Sequence, residues 1–590
     1  MRREPFDKNN SSSPIKQPGL HYALLIGILL MGTALRFWQL DAKPLWLDEV
    51  ITALFTLGHR QADVPVNVFF PLSALDDVFA FQPGVSCAQI AQTVATESVH
   101  PPLFFCVLYR WIGWLQPDAT QWIWAMRSLP ALFGVGAIAA VYGLNRYAIS
   151  PTAGLIGAAL MAVSPFAVYL SQEARHYTLP MMLATLGLIA IIGIQRAIAQ
   201  HRRISIGLAI AWIAVNIVGL YVHYFFILVV IAQIMALALW IGIRRGSGFR
   251  LAYHHWGTLV LSLSVIIVSY LPWLPIVITH FDRPETDWLI PYKPDWRDRI
   301  APLYQTVIGW VLMGIALPVE NQPWFVIVPS ALIMLAIGGW LAWQVIRGMR
   351  QLWHTPTYRA PLIVLGGFVG GVILQFLAIA YILDKDITSV PRYNFVYYPG
   401  MGALVAAGLS VGISRRSRQG QPIQKPRINR SAVAIAILAG LVSSSLVVHG
   451  WVFQKGYYPH TVAEDIAFDP STPLMLVVSY QSLQEIALGL SFVLELDSIY
   501  ATTPNPPVRV ALVHRENNYR DVWRTLARMR HDLSFPLNLW VVASPGMKTE
   551  DYPNQLKIRN LNRAGKATCA IDPDRFNRIG FPYQLFRCGE

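Results

Sequence analysis

Asp48 and Glu49 stand side by side in the run Leu45-Trp46-Leu47-Asp48-Glu49, just past the first long apolar stretch. Adjacent carboxylates tend to split their pKa values, and a carboxylate held at a membrane boundary can act as a general base. A plainer role is also open: Asp48 could cap a surface helix and favour its positive end. A second cluster is Ser171-Gln172-Glu173-Ala174-Arg175-His176-Tyr177. Polar and ionisable groups in succession at a helix mouth are costly unless used. Snorkelling accounts for Arg175 and Tyr177, but not for Glu173 and His176 beside them. His100 precedes Pro101 and Pro102, which makes a stiff, non-helical lead into the next apolar stretch. His223 lies in Tyr221-Val222-His223-Tyr224, where an aromatic belt is the plainer reading. Arg392 and Tyr393 follow Pro391 just before a late apolar run. An arginine there suits a lipid headgroup, or the phosphate of a lipid-linked substrate.

These clusters need elements to position them, and the composition says which kind. The chain has 590 residues, of which 54% are hydrophobic and only 14% charged. Soluble domains carry about a quarter charged residues, so most of this chain is a membrane protein. A span needs roughly 20 mostly apolar residues. Such runs lie near 20–40, 128–145, 152–170, 179–198, 204–222, 225–243, 257–279, 325–346, 361–382, 395–413 and 431–453. The first ends in Arg36-Phe37-Trp38 rather than at a small-residue cleavage site, and reads as an uncleaved helix.

The net charge of +14 invites a nucleic-acid partner until the cations are placed. With residues 1–19 as a cytoplasmic tail, the alternate loops on that side hold Arg146, Arg202, Arg203, Arg244, Arg245, Arg347, Arg350, Arg415, Arg416 and Arg418. That asymmetry is an orientation signal, so no nucleic acid is expected. The shorter apolar stretches Pro101–Leu115 and Ala301–Leu317 read as helices at the outer membrane surface. If both cross, the count rises from eleven to thirteen.

All the clusters above then fall on the outer face. An odd number of spans also leaves residues 454–590 outside. There Pro473–Tyr480, Val508–His514 and Leu537–Ala543 read as strands, and Asn518–Arg530 has helical spacing. The expected architecture is an α-helical polytopic membrane protein with a small C-terminal α/β domain. Its membrane part is 20–453, with a long first external loop at 41–127. Cys569 and Cys588 lie in the external domain, where a disulfide or two free thiols both fit. None of the four cysteines has zinc spacing.

Taken in order, Arg36, Leu45-Trp46-Leu47-Asp48-Glu49, His100-Pro101-Pro102-Leu103, Arg127-Ser128-Leu129-Pro130, Ser164-Pro165 and Ser171-Gln172-Glu173-Ala174-Arg175 carry a resemblance. The set is similar to the GT-C glycosyltransferases, in the branch of protein O-mannosyltransferases and the aminoarabinose transferase (glycosyltransferase family 39 and relatives). It covers about 20–410. It implies transfer of a sugar from a polyprenyl-phosphate donor to an acceptor outside the cytoplasm. The family's first-loop acid matches Asp48, with Glu49 beside it, and its second acidic site is best matched by Glu173. At that second site the chain lacks the Asp-x-Asp or Asp-x-Glu that binds a metal in the oligosaccharyltransferase branch, so no cofactor is certain and a divalent metal is possible but not favoured.

The expected chemistry is an inverting single displacement with Asp48 as base, assisted by Glu49 and Glu173. A leaving phosphate needs cations more than a proton. Arg175 and Arg392 are the candidates, with His176 and Tyr393 beside them, and Arg36, His100 and His223 as further site candidates. The expected partners are the donor, an extracytoplasmic protein, lipid or glycan acceptor, and the bilayer of the inner (plasma) membrane. The rival class is a transporter or flippase for a lipid-linked or anionic solute. Such proteins use repeats and broken helices at the bilayer midplane. No inverted repeat is visible, and the ionisable groups cluster at one mouth.

Overall fold

The computed structural model describes residues 18–589 except 119, 247, 282, 284–288, 291–294, 412–428 and 562–565. Most of the N-terminal tail, and Arg415, Arg416 and Arg418 of the last loop expected on the inner side, lie outside the described residues.

Each of the eleven expected runs forms helix. Eight helices among the described residues are long and apolar enough to cross a membrane, by length and composition. They are Pro18–Phe37, Trp122–Ala148, Thr178–Ala199, Phe226–Arg245, Tyr253–Phe281, Trp324–Trp353, Pro356–Ile382 and Arg430–Val448. The run at 152–170 is a pair, Pro151–Ala162 and Pro165–Ser171, bent by 59°. The remaining two are the shorter helices Ile206–Val222 and Tyr398–Leu409. The two stretches expected at the outer surface are helices of 13 and 14 residues, Leu103–Leu115 and Ala301–Gly314. In Trp324–Trp353 only 11% of the most apolar window is buried. That outward-facing apolar surface requires an apolar surrounding.

The break in the bent pair follows from Ser164-Pro165. Proline has no N–H and pushes the residue before it out of the helical region. Ser164 is extended, and its hydroxyl accepts from the Ala167 N–H to restart the helix. The freed carbonyls need donors inside an apolar body. Arg36 supplies two, donating to Met161 O and Ala162 O at 3.0 Å each, and Ser444 Oγ donates to Val163 O at 2.8 Å. Gly134 makes room for this, since a Cβ there would lie 2.9 Å from Arg36 Nε. Arg36 therefore splints the broken helix. It is fully buried, and its guanidinium hydrogen bonds go to backbone carbonyls.

The C-terminal domain is a seven-stranded sheet in the order β2-β1-β4-β7-β6-β5-β3. The strands are β1 (Leu474–Tyr480), β2 (Val508–His514), β3 (Arg530–His531), β4 (Leu537–Val542), β5 (Gln555–Asn560), β6 (Lys566–Ile579) and β7 (Phe581–Cys588). β1 runs parallel to both β2 and β4, and every residue of β1 is buried. A central strand covered on both faces reads as an unbroken apolar run. The helix over 518–530 is shorter than expected, Tyr519–Leu526. Helix Leu483–Tyr500 packs on helix Leu47–Leu57 of the 41–127 loop. The same loop adds a bridge, Phe70 with Val510, to the outer edge of β2. The domain is thus docked on the loop that carries Asp48. Cys569 and Cys588 face each other in register on β6 and β7 and form a disulfide. Cys87 and Cys106 form a second, which ties helix Cys87–Glu97 to Leu103–Leu115.

Candidate active site

Helix Leu47–Leu57 begins at the residue before Asp48, so Asp48 and Glu49 lie in its first turn, where the helix dipole favours acids. Trp46 occupies the cap position and offers no side-chain cap. The orphan Leu47 N–H instead donates to the Tyr457 hydroxyl at 2.5 Å. Successive helical residues point about 100° apart, at 3.6 per turn. The two neighbouring acids therefore have different surroundings.

Glu49 points inward and is 1% exposed. Arg127 Nε and Nη2 donate to its two carboxylate oxygens at 2.8 Å each. The Ala174 N–H donates to Oε1 at 2.7 Å. Arg127 Nη1 and Nη2 also donate to the carbonyls of Leu40, Lys43 and Pro44. All five guanidinium N–H groups are used. Glu49 is in this way a fixing point for the chain around Asp48.

Asp48 points the other way. Its Oδ2 lies 3.8 Å from Arg175 Nη2 and 3.7 Å from Arg392 Nη2, and its side chain is 18% exposed. Arg175 Nη1 donates to the Asp48 carbonyl and to Thr52 Oγ1, at 3.0 and 2.9 Å. Burial opposes the charge on both arginines, and Asp48 with the surrounding tyrosines outweighs it, so both are held above the ordinary guanidinium range. One carboxylate faces two guanidinium groups, and the Nε of each arginine is buried without a partner. That leaves cationic donors for an anion.

Behind Arg175 lies a cluster of histidines. Arg175 Nη2 sits 3.2 Å from His100 Nε2. An arginine can only donate, so His100 Nε2 accepts and its proton lies on Nδ1, 3.1 Å from Ser98 Oγ. The His176 ring lies 4.9 Å from that of His100 and 4.5 Å from that of His223. His176 Nε2 is buried without a partner, while His223 Nδ1 accepts from the Phe225 N–H and fixes the turn between two spans. Burial, and then the neighbouring arginines and histidines, push all three well below their ordinary 6.5. Tyr393 packs edge-on against Phe225 and lies beside the Arg392 guanidinium. No group of three or more His, Cys, Asp or Glu among the described residues is placed to hold a metal ion.

Glu173 is 6% exposed, and its ion-pair partner is Lys455, which also donates to the Tyr169 hydroxyl at 2.9 Å. The Lys455 ammonium sits 3.8 Å from the centre of the Trp46 ring. Burial opposes the charge on Lys455, and Glu173 more than offsets this and raises it. Lys43 has the opposite fate. Burial and then Arg127 pull it down to about 7, and it donates to Gln172 Oε1 at 3.0 Å. Sequence reasoning missed Lys455, although a lone cation in Phe453-Gln454-Lys455-Gly456-Tyr457, just past the last apolar run, carries a signal. Between Arg392 and Lys455 lies a cleft of about 310 Å³, whose walls include Trp46, Tyr169 and Glu320.

No protein-family model and no curated protein matches the chain. It is similar to two structures of ArnT from Cupriavidus metallidurans. The form bound to undecaprenyl phosphate shares 13% identity at TM-score 0.48, over 97% of this chain and 98% of the other. The apo form shares 12% at 0.48, over 96% and 97%. The apo oligosaccharyltransferase of Archaeoglobus fulgidus shares 12% at 0.46, over 91% of this chain and 71% of the other.

Two outcomes follow from the buried charges. Glu49→Gln leaves Arg127 buried without its anion, which costs about 3–5 kcal/mol. It is expected to lower the thermal midpoint in detergent sharply, and an unchanged midpoint would remove the pair from its fixing role. The histidines stay neutral when folded but take protons below pH 6.5 when unfolded. Their contribution to stability is therefore fully present above about 6.5 and falls as pH drops below it. His176→Leu is expected to flatten that fall between pH 7 and 5, measured as midpoint against pH. A variant with the original slope would contradict it.

Proposed function

We propose that the protein is a membrane glycosyltransferase of the GT-C kind. It transfers a sugar from a polyprenyl-phosphate donor to an acceptor hydroxyl on the outer face of the plasma membrane. The observation that carries this reading is the single Asp48 carboxylate between Arg175 and Arg392, with donors to spare. The order of motifs along the sequence supports the same reading. A lipid-linked donor keeps its phosphate at headgroup depth, where an arginine pair can reach it.

In the reaction, the phosphate oxygens take the N–H groups of Arg175 and Arg392 and loosen their hold on Asp48. The freed carboxylate accepts the proton of the acceptor hydroxyl. The acceptor oxygen attacks the anomeric carbon as the bond from that carbon to the phosphate oxygen breaks. The electron pair leaves with the phosphate, whose growing charge the arginines stabilise. One displacement inverts the anomeric carbon. Glu49 acts by fixing Asp48 through Arg127, and Glu173 by holding Lys455. His100 and His176 are neutral props for Arg175, and Tyr393 steadies Arg392. None of these steps calls for a metal.

Asp48→Asn is expected to lower the transfer rate by about two to four orders of magnitude, with the protein still folded and inserted. Near-normal turnover in the purified variant would sink the assignment. Arg392→Ala removes charge-assisted bonds worth about 1.5–3 kcal/mol. Donor affinity should fall about 10- to 100-fold with acceptor KM little changed. Unaltered donor affinity would take Arg392 out of the phosphate site.

A further inference from the structure

The cleft beside Arg392 has no role in the reaction as described. One wall comes from the segment that leads out of the last membrane helix into the soluble domain. Its residues are anchored one after another. Phe453 stacks on Tyr169 at 4.6 Å between ring centres. The Gln454 N–H donates to Glu320 Oε2 at 2.6 Å. Lys455 lies over Trp46 and pairs with Glu173. Tyr457 accepts from Leu47 N and meets Phe492 and Phe581 of the soluble domain edge-on. This strap joins the core of the soluble domain to the residue before Asp48.

The size of the cleft limits what it can take. About 310 Å³ is at the lower end of the roughly 300–1,000 Å³ of small-molecule sites. It has room for one sugar ring, and none for a lipid chain or a folded peptide. Its lining has the matching chemistry: the aromatic side chains of Trp46, Tyr169 and Tyr457, and the charged groups of Glu320, Arg392 and Lys455. A sugar ring likewise has apolar faces and a rim of hydroxyls. Lys455 spends two of its three N–H groups on Tyr169 and Glu173 and is 21% exposed, so it keeps one donor for a ligand. A carboxylate has about four acceptor positions, and the strap N–H occupies only part of those on Glu320. Arg392 borders the cleft and also faces Asp48 at 3.7 Å. Whatever is bonded to a phosphate on Arg392 is therefore delivered to the cleft.

Resting on the proposed transferase reading, we propose that this cleft is the donor-sugar subsite, and that Glu320 and the strap residue Lys455 read the sugar's hydroxyls. The soluble domain then takes part in choosing the sugar. A site built to hydrogen-bond a hydroxyl strongly rejects ligands that lack it, because its own buried polar groups are left unpaired.

The test compares the affinity of the full-length protein in detergent for polyprenyl phosphate alone and for the same lipid bearing mannose, glucose, galactose, glucuronic acid or 4-amino-4-deoxyarabinose. At least one glycosylated lipid should bind the unaltered protein more than tenfold more tightly than the bare lipid. Glu320→Gln keeps the side chain's shape and should cut that advantage about tenfold, one charge-assisted bond's worth, with bare-lipid affinity unchanged. Lys455→Met should act in the same way. Glu320→Gln stands alone as a test if removing the partner of Glu173 unfolds the lysine variant. Arg392→Ala should weaken bare and glycosylated lipids by the same factor. No sugar preference in the unaltered protein would overturn the subsite. So would an equal loss for bare and glycosylated lipid in Glu320→Gln, or an effect confined to acceptor KM. Failure of bare lipid to bind at all would instead overturn the transferase reading beneath it.

Discussion

The site depends on one buried ion pair. Arg127, from the long helix after the first external loop, places its five N–H groups on Glu49 and on the carbonyls of Leu40, Lys43 and Pro44. Glu49 in turn accepts the N–H of Ala174. One guanidinium thus holds the chain on both sides of Trp46, while its carboxylate partner holds the turn that bears Arg175. A buried pair of this kind adds little net stability, because desolvation offsets the attraction. Its value here is geometric. Breaking it exposes both charges to an apolar interior, so the loop has one favourable arrangement, and Asp48 and Arg175 are aligned by it.

Around that pair the structure separates two tasks. Some charged groups are sealed in on fixed partners: Arg36 on the broken helix, Glu49 on Arg127, Glu173 on Lys455. Others meet more than one partner: Asp48 lies between two arginines, and one of these, Arg392, also lines the cleft. The C-terminal domain belongs to the same unit. Its edge strand is extended by Phe70, its helix Leu483–Tyr500 lies on the helix of Asp48, and its strap ends on the Leu47 N–H. The loop of Asp48 is gripped from the helical body by Arg127 and from the C-terminal domain's strap by Tyr457.

Much of this was legible in the sequence, for identifiable reasons. Apolar runs of span length leave few alternatives to a helix, and all eleven are helical. Strands β1, β2 and β4 are short apolar runs between turn residues, and each starts or ends within a residue of its expected limit. The later strands β5 and β6 are half-exposed and lack such a run, while β7 is mostly buried but carries Pro582, Gln584 and Arg587 among its apolar residues, so none of the three reads as a strand. Asp48, Arg175 and Arg392 stood out because ionisable groups at a helix mouth are costly. Glu49 shared that signal, but adjacency hid the turn of the helix that sends it inward. Lys455 lies 282 residues from Glu173, and nothing local announces that pairing. Arg36 looked like a site residue because the sequence does not say which carbonyls Pro165 has freed.

The proposed reaction has the cluster around Asp48 move a sugar from one molecule to another, where a transporter would move a solute across the bilayer. The most direct measurement uses the purified protein in liposomes, with polyprenyl phosphate carrying a radiolabelled sugar and an envelope extract outside as acceptor. The account predicts that label leaves the lipid for the acceptor with its anomeric configuration inverted, and that bare polyprenyl phosphate appears in equal amount. Label that crosses the bilayer still attached to its lipid, with no glycosylated acceptor, would contradict it.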